Sequence, residues 1–99
     1  MPTEFEPGPE VPAEAGALVA TLRAVGWRVT ASRYDAQSFG NWFVDLERDD
    51  RAIRLVKDRS QFMIEGQTDE LRAAGLLKPF DRLGSFCEAV VAWVDKQGA

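Results

Sequence analysis

FVDLERDDRAIRLVKDRSQFMIE, residues 43–65, holds almost no residue suited to chemistry, yet it is the most regularly patterned stretch of the chain. Its pattern can be tested for internal agreement. With Asp49 and Asp50 as a two-residue turn, residues whose numbers sum to 99 face each other across a hairpin. Val44 then meets Leu55 and Leu46 meets Ile53 on one face, while Asp45 meets Arg54 and Phe43 meets Val56 on the other. A second turn at Arg59 and Ser60 sets Leu55 against Ile64, Val56 against Met63 and Arg54 against Glu65. One register therefore builds a charge ladder, Asp45 to Arg54 to Glu65, beside an apolar row, Phe43 to Val56 to Met63. A slip of one residue would send the buried face into solvent, so this register is strongly specified. Asp-Asp and Arg-Ser are poorer two-residue turns than Asn-Gly, which leaves a wider loop or a bulge open at either one.

Upstream, WRVTASRY alternates Trp27, Val29 and Ala31 against Arg28, Thr30 and Ser32, the period of a strand buried on one face. Placing Val29 opposite Leu46 puts Arg28 opposite Glu47 and Thr30 opposite Asp45, and adds a fourth strand to the sheet. DAQSFG, residues 35–40, reads as the loop that follows.

Before that strand, Leu18, Val19, Leu22 and Val25 recur at helical spacing, with Pro12 at the first turn and Gly26 where a left-handed cap stops the helix. After the sheet, Thr68 is an N-cap candidate for a short helix near residues 69–74 that Gly75 ends. Pro79 and Gly84 punctuate a loop, and Ser85 with Glu88 forms a capping-box signal ahead of the stripe Phe86, Ala89, Val90, Trp93 and Val94. Cys87 within that helix reads as a small buried hydrophobe.

The expected fold is α+β: a four-stranded antiparallel meander with one face covered by N-terminal and C-terminal helices, in the order α-β-β-β-β-α with an extra short helix near 69–74. Trp27, Val29, Trp42, Val44, Leu46, Ile53, Leu55, Phe62 and Ile64 form the sheet side of the core. The other face is expected to present Ser32, Phe43, Val56 and Met63 among Asp45, Arg54 and Glu65. An apolar row inside a charged frame is the composition of a protein-binding patch or a dimer interface. Two plainer readings stand beside it: residues 67–84 fold over the row, or it is ordinary exposed surface.

Composition narrows the function. The 99 residues fit one domain, expected over 13–98, and residues 2–12 carry four prolines and read as a mobile acidic tail over 1–12. Glu4, Glu6, Glu10 and Glu14 fall in the first sixteen residues with no basic residue among them, which leaves twelve acidic against twelve basic residues in the remainder. That balance argues against a nucleic-acid partner, although Arg48, Arg51, Arg54, Lys57 and Arg59 form a locally basic stretch. No apolar run approaches the ~20 residues of a membrane span, and the start lacks the pattern of a secretion signal, so the expected location is the cytoplasm. A lone cysteine agrees with a reducing compartment.

Enzymatic chemistry finds little to work with. There is no histidine, no glycine-rich phosphate loop and no nucleophile elbow around Ser32, Ser38, Ser60 or Ser85. Asp45, Glu47 and Glu65 suggest a carboxylate cluster for a divalent metal, but the derived register already neutralises them with Arg28 and Arg54. The expectation is a non-enzymatic protein with no cofactor and no metal.

FGNWFVDLERDD followed by IRLVKDRSQFMIE resembles a pattern in short uncharacterised bacterial proteins, some of which are thought to be immunity proteins of polymorphic toxin systems. The resemblance covers about residues 38–65. It implies a single-domain cytoplasmic protein that binds and blocks a cognate toxin, with no catalytic residues of its own. The competing class is a homo-oligomeric module that turns the same face on a second copy of the chain. The partner is thus expected to be a protein, either toxin-like or a copy forming a homodimer, and the residues meeting it Phe43, Val56, Met63, Arg54, Asp45, Glu65 and Ser32.

Overall fold

The computed structural model describes residues 11–35, 37, 40–66 and 68–98, the side chains of 68, 97 and 98 excepted. A 3-10 turn, Ala13–Ala15, leads into helix α1, Gly16–Ala24. Strands β1 (Arg28–Asp35), β2 (Asn41–Arg48), β3 (Arg51–Asp58) and β4 (Gln61–Glu65) follow, then α2 (Thr68–Ala73) and α3 (Leu83–Gly98). The strands form one antiparallel sheet in the order β1-β2-β3-β4. At 42 × 38 × 19 Å the molecule is one sheet and one layer of helices thick.

Both hairpins have the expected register. Phe43 pairs with Val56, Asp45 with Arg54 and Leu46 with Ile53, and then Arg54 with Glu65, Val56 with Met63 and Leu55 with Ile64. The unfavourable turn residues are accommodated without widening either loop. Asp49 at φ 56° and Arg59 at φ 62° take the left-handed conformation that hairpins usually reserve for glycine. Asn41 Oδ1 accepts the Arg59 backbone N–H at 2.6 Å and steadies the second turn.

The first strand departs from simple alternation. Arg28 pairs with Glu47 and Val29 with Leu46 as expected, but a bulge follows and Ala31, not Thr30, faces Asp45. Thr30 is the extra residue, its hydroxyl donating to the Asp45 carbonyl at 3.3 Å. Everything after it changes sides. Ser32 pairs with Val44 on the helix-facing side, and Arg33 pairs with Phe43 on the outer face. The placement of Ser32 beside Phe43, Val56 and Met63 is therefore corrected. Unbroken alternation from Val29 would have turned the charged Arg33 and Asp35 toward the helix side; the bulge sets Ser32 and Tyr34 there instead.

One face of the sheet carries the core. Trp27, Trp42, Val44, Leu46, Ile53, Leu55, Phe62 and Ile64 are buried there, with Val29 partly so at the edge. Leu18, Val19 and Leu22 of α1 and Phe86, Val90, Trp93 and Val94 of α3 close over them. Aromatic contacts knit the layers together: Trp27 to Trp93 at 6.2 Å, Phe62 to Phe86 at 5.9 Å, and Phe80 to Phe86 at 5.6 Å between ring centroids.

Helices α1 and α2 stop by the same device. Trp27 N–H reaches back to the Leu22 carbonyl past Gly26 at φ 102°, and Leu76 N–H reaches the Leu71 carbonyl past Gly75 at φ 74°. In each case the two residues so joined are both buried. Helix α3, in contrast, begins earlier than the Ser85 capping signal implies: Phe86 N–H donates to the Arg82 carbonyl, and Ser85 lies inside the first turn. Cys87 is half-buried at the margin of the core rather than sealed within it.

Residues 67–84 do not cross the outer face in their described part. Leu71 and Leu76 join the core, and Phe80 exchanges two backbone hydrogen bonds of 2.8 Å with Phe62 on the free edge of β4. Val11 and the buried Pro12, read from the sequence as the end of the tail, pack with the body; residues 1–10, Ser38 and the Thr68 side chain lie outside the described residues.

At the start of the body, Glu14 is a structural residue. Its Oε1 accepts the Trp42 indole N–H at 2.7 Å and meets Lys57 Nζ at 2.9 Å. Burial alone would raise its pKa, but the hydrogen bonds from Lys57 and Trp42 and the Lys57 charge outweigh that and hold it below the usual 4.5. A depressed folded-state value means stability that is complete above the unfolded pKa and is lost as pH falls through the folded one. Glu14→Gln should therefore cost about 1 kcal/mol at neutral pH, after discounting for partial exposure. Urea titrations across pH should show that difference steady above pH ~5 and shrinking below pH ~4.5.

Gly66 and Arg59 allow opposite backbone tests. A Cβ on Gly66, at φ 145°, would stand 2.6 Å from the Ala52 carbonyl oxygen. Gly66→Ala should destabilise by about 2 kcal/mol or more. Arg59→Gly relieves a left-handed residue whose cost exceeds that of glycine's added freedom, so the urea midpoint should rise by the equivalent of up to about 1 kcal/mol.

Candidate functional site

Directly paired residues on adjacent strands share a face, so the register lays out the outer surface row by row. The first row is Arg33, Phe43, Val56 and Met63; the next, two residues along the strands, is Ala31, Asp45, Arg54 and Glu65. Phe43, Val56 and Met63 are neighbours on three adjoining strands and are only half-buried. Six of the seven residues expected to meet a partner are thus brought together. Ser32 is not among them, and Arg33 and Ala31 take its place.

Arg33 escaped the sequence reading although a signal for it existed. Continuing the alternation of β1 one more step turns this charged side chain toward the helix side, a pattern break that points to a bulge upstream.

Arg54 organises the centre of the face. Its Nε and Nη2 donate to the two carboxylate oxygens of Asp45 at 2.6 and 3.0 Å. The same guanidinium lies 4.1 Å from the centroid of the Phe43 ring. A planar, bidentate and stacked arginine has little rotamer freedom left to lose. Hydrogen bonding to Asp45 raises the Arg54 pKa; desolvation opposes it, and the charges of Asp45 and Glu65 add to the rise. Two shallow hollows flank the side chain. One of about 410 Å³ is bounded by Arg33, Asn41, Phe43, Val56 and Asp58, and the other of about 310 Å³ by Thr30, Glu47, Ala52 and Gly66; Arg54 and Glu65 border both.

Other chemistries are poorly served by this arrangement. Asp45 is engaged by Arg54, and Glu47 stands 3.8 Å from Arg28. Among the described residues no cluster of three Cys, Asp or Glu side chains is placed to hold a metal ion. The locally basic stretch is dispersed by strand geometry. Arg48 and Arg51 meet at the β2–β3 tip, where Arg51 pairs with Glu70 at 3.1 Å; Arg54 lies on the outer face, Lys57 pairs with Glu14 on the inner one, and Arg59 occupies the turn at the far end. Burial pushes the Cys87 thiol pKa up, which keeps it protonated and a poor nucleophile. No described helix is long and apolar enough to cross a membrane.

No protein-family model, curated protein or solved structure matches the chain.

The Asp45–Arg54 pair is half open to solvent, with 26% and 44% of the side chains exposed. Its contribution to folding should accordingly be small. A double-mutant cycle with Asp45→Asn and Arg54→Gln, followed by urea unfolding, should give a coupling of about 0.5 kcal/mol that fades in high salt. A coupling above about 2 kcal/mol would make the pair a folding element rather than a surface one.

Proposed function

We propose that this protein is a non-enzymatic protein-binding module whose recognition surface is the outer face of the sheet. One observation carries the reading: the row Phe43, Val56 and Met63 stays half-exposed at the centre of a rigid four-stranded sheet, bordered by charged side chains. A small domain gains stability from burying such residues and has little to spare, so an apolar row kept at the surface is a cost that binding would offset. The anchors are of the kinds that dominate interface energetics, an aromatic ring and an arginine already fixed in place.

Where the partner is a toxin, as the resemblance of residues 38–65 to immunity proteins implies, binding would act by occlusion and ask no chemistry of this chain. A rigid surface suffices for that task.

Photo-crosslinking in the native cells tests the assignment of the face. p-Benzoylphenylalanine placed at Val56 should give a discrete protein adduct, while the same group at the exposed Ala92 on α3 should not. Phe43→Glu in the Val56-labelled chain should abolish the adduct with the fold retained. Equal adducts from both positions, or none from Val56, would defeat the proposal.

A further inference from the structure

The outer face carries opposite charges on its two outermost strands, Glu65 standing beside Arg54 across the β3–β4 pair. Arg33 on β1 and Glu65 on β4 are both exposed, and neither forms an ion pair among the described residues. Between them lies the apolar row with the balanced pair Asp45 and Arg54 at its side. Such a surface is complementary to itself. A two-fold axis parallel to the strands and passing between β2 and β3 lays β2 over the partner's β3 and β1 over the partner's β4, while each row keeps its level along the strands. Phe43 then covers the partner's Val56, and Asp45 faces the partner's Arg54. Arg33 is offset by one row, about 7 Å along the strands, from the partner's Glu65 on a sheet about 10 Å away, a gap of about 12 Å that two long side chains span.

We propose that the protein the outer face binds is a second copy of this chain, in a face-to-face dimer closed by two reciprocal Arg33–Glu65 ion pairs. The inference rests on the reading of this face as a protein-binding surface and names its occupant. A toxin or other unlike protein has no reason to match both edge charges; a second copy matches them by symmetry. The sheet is four strands wide and about seven residues deep, a footprint of about 450 Å² before side-chain relief. That area is at the low end for stable pairs, so the dimer is a weak one that forms and dissociates with concentration.

Charge exchange followed by sedimentation velocity over about 5 to 500 µM tests it. The native chain should pass from monomer to dimer across this range. Arg33→Glu and Glu65→Arg should each weaken association about tenfold or more, because each sets like charges against one another across the axis. The double variant R33E/E65R should return to within about threefold of the native chain. Within one protomer the two positions are three strands, about 14 Å, apart, so such rescue can only pass between copies. Circular dichroism of each variant verifies the fold. A native chain that stays monomeric throughout, or a double variant no better than either single one, overturns the dimer. The two proposals fail separately: an adduct of Val56 with an unlike protein, together with a monomeric native chain, removes the second copy and leaves the binding face intact.

Discussion

One-sided burial of a four-stranded meander is the constraint on which the rest of the molecule depends. Every inward position of β2, β3 and β4 that reaches the core is apolar, and the apolar stripes of α1 and α3 close over them, joined by Leu71 of α2 and by Leu76. Moving any strand by one residue would exchange that whole set for Asp45, Arg54 and Glu65. The penalty for burying those charges greatly exceeds the cost of two turns held in left-handed conformations. Register therefore overrides turn preference, and Asp49 and Arg59 accept strain so that the two rows can align.

The same constraint creates the outer face. A two-layer domain leaves one side of its sheet without a covering layer. Here it is neither wholly polar nor covered by residues 67–84, whose apolar side chains Leu71 and Leu76 are taken into the core and whose Phe80 closes part of the β4 edge. Arg54 is what keeps the face ordered: it stacks on Phe43 and is gripped by Asp45, so the aromatic ring and the charge are held as one unit.

Glu14 shows how the same residue type serves differently by location. Counted with the acidic start of the chain it looked like part of a solvated tail, yet it accepts a hydrogen bond from Trp42 and an ion pair from Lys57 and fastens the 3-10 turn to the sheet. Lys57 is thereby accounted for on the inner side, and Arg33 and Glu65 are among the outer-face charges that form no ion pair among the described residues.

Taken by itself, the amino-acid order determined the strand pairing from Phe43 to Glu65, the helix stops at Gly26 and Gly75, and the membership of the apolar row, because each follows from local periodicity or from a backbone conformation that glycine adopts freely. Only the tertiary structure decided which side Ser32 and Arg33 occupy, where α3 begins, and what Glu14 does. Those outcomes depend on what a side chain meets across the sheet: the bulge at Thr30 is fixed by the pairing of β1 with β2, and no propensity of Thr30 itself announces it. Local pattern specifies which residues alternate, but contacts made across the sheet decide where the alternation breaks.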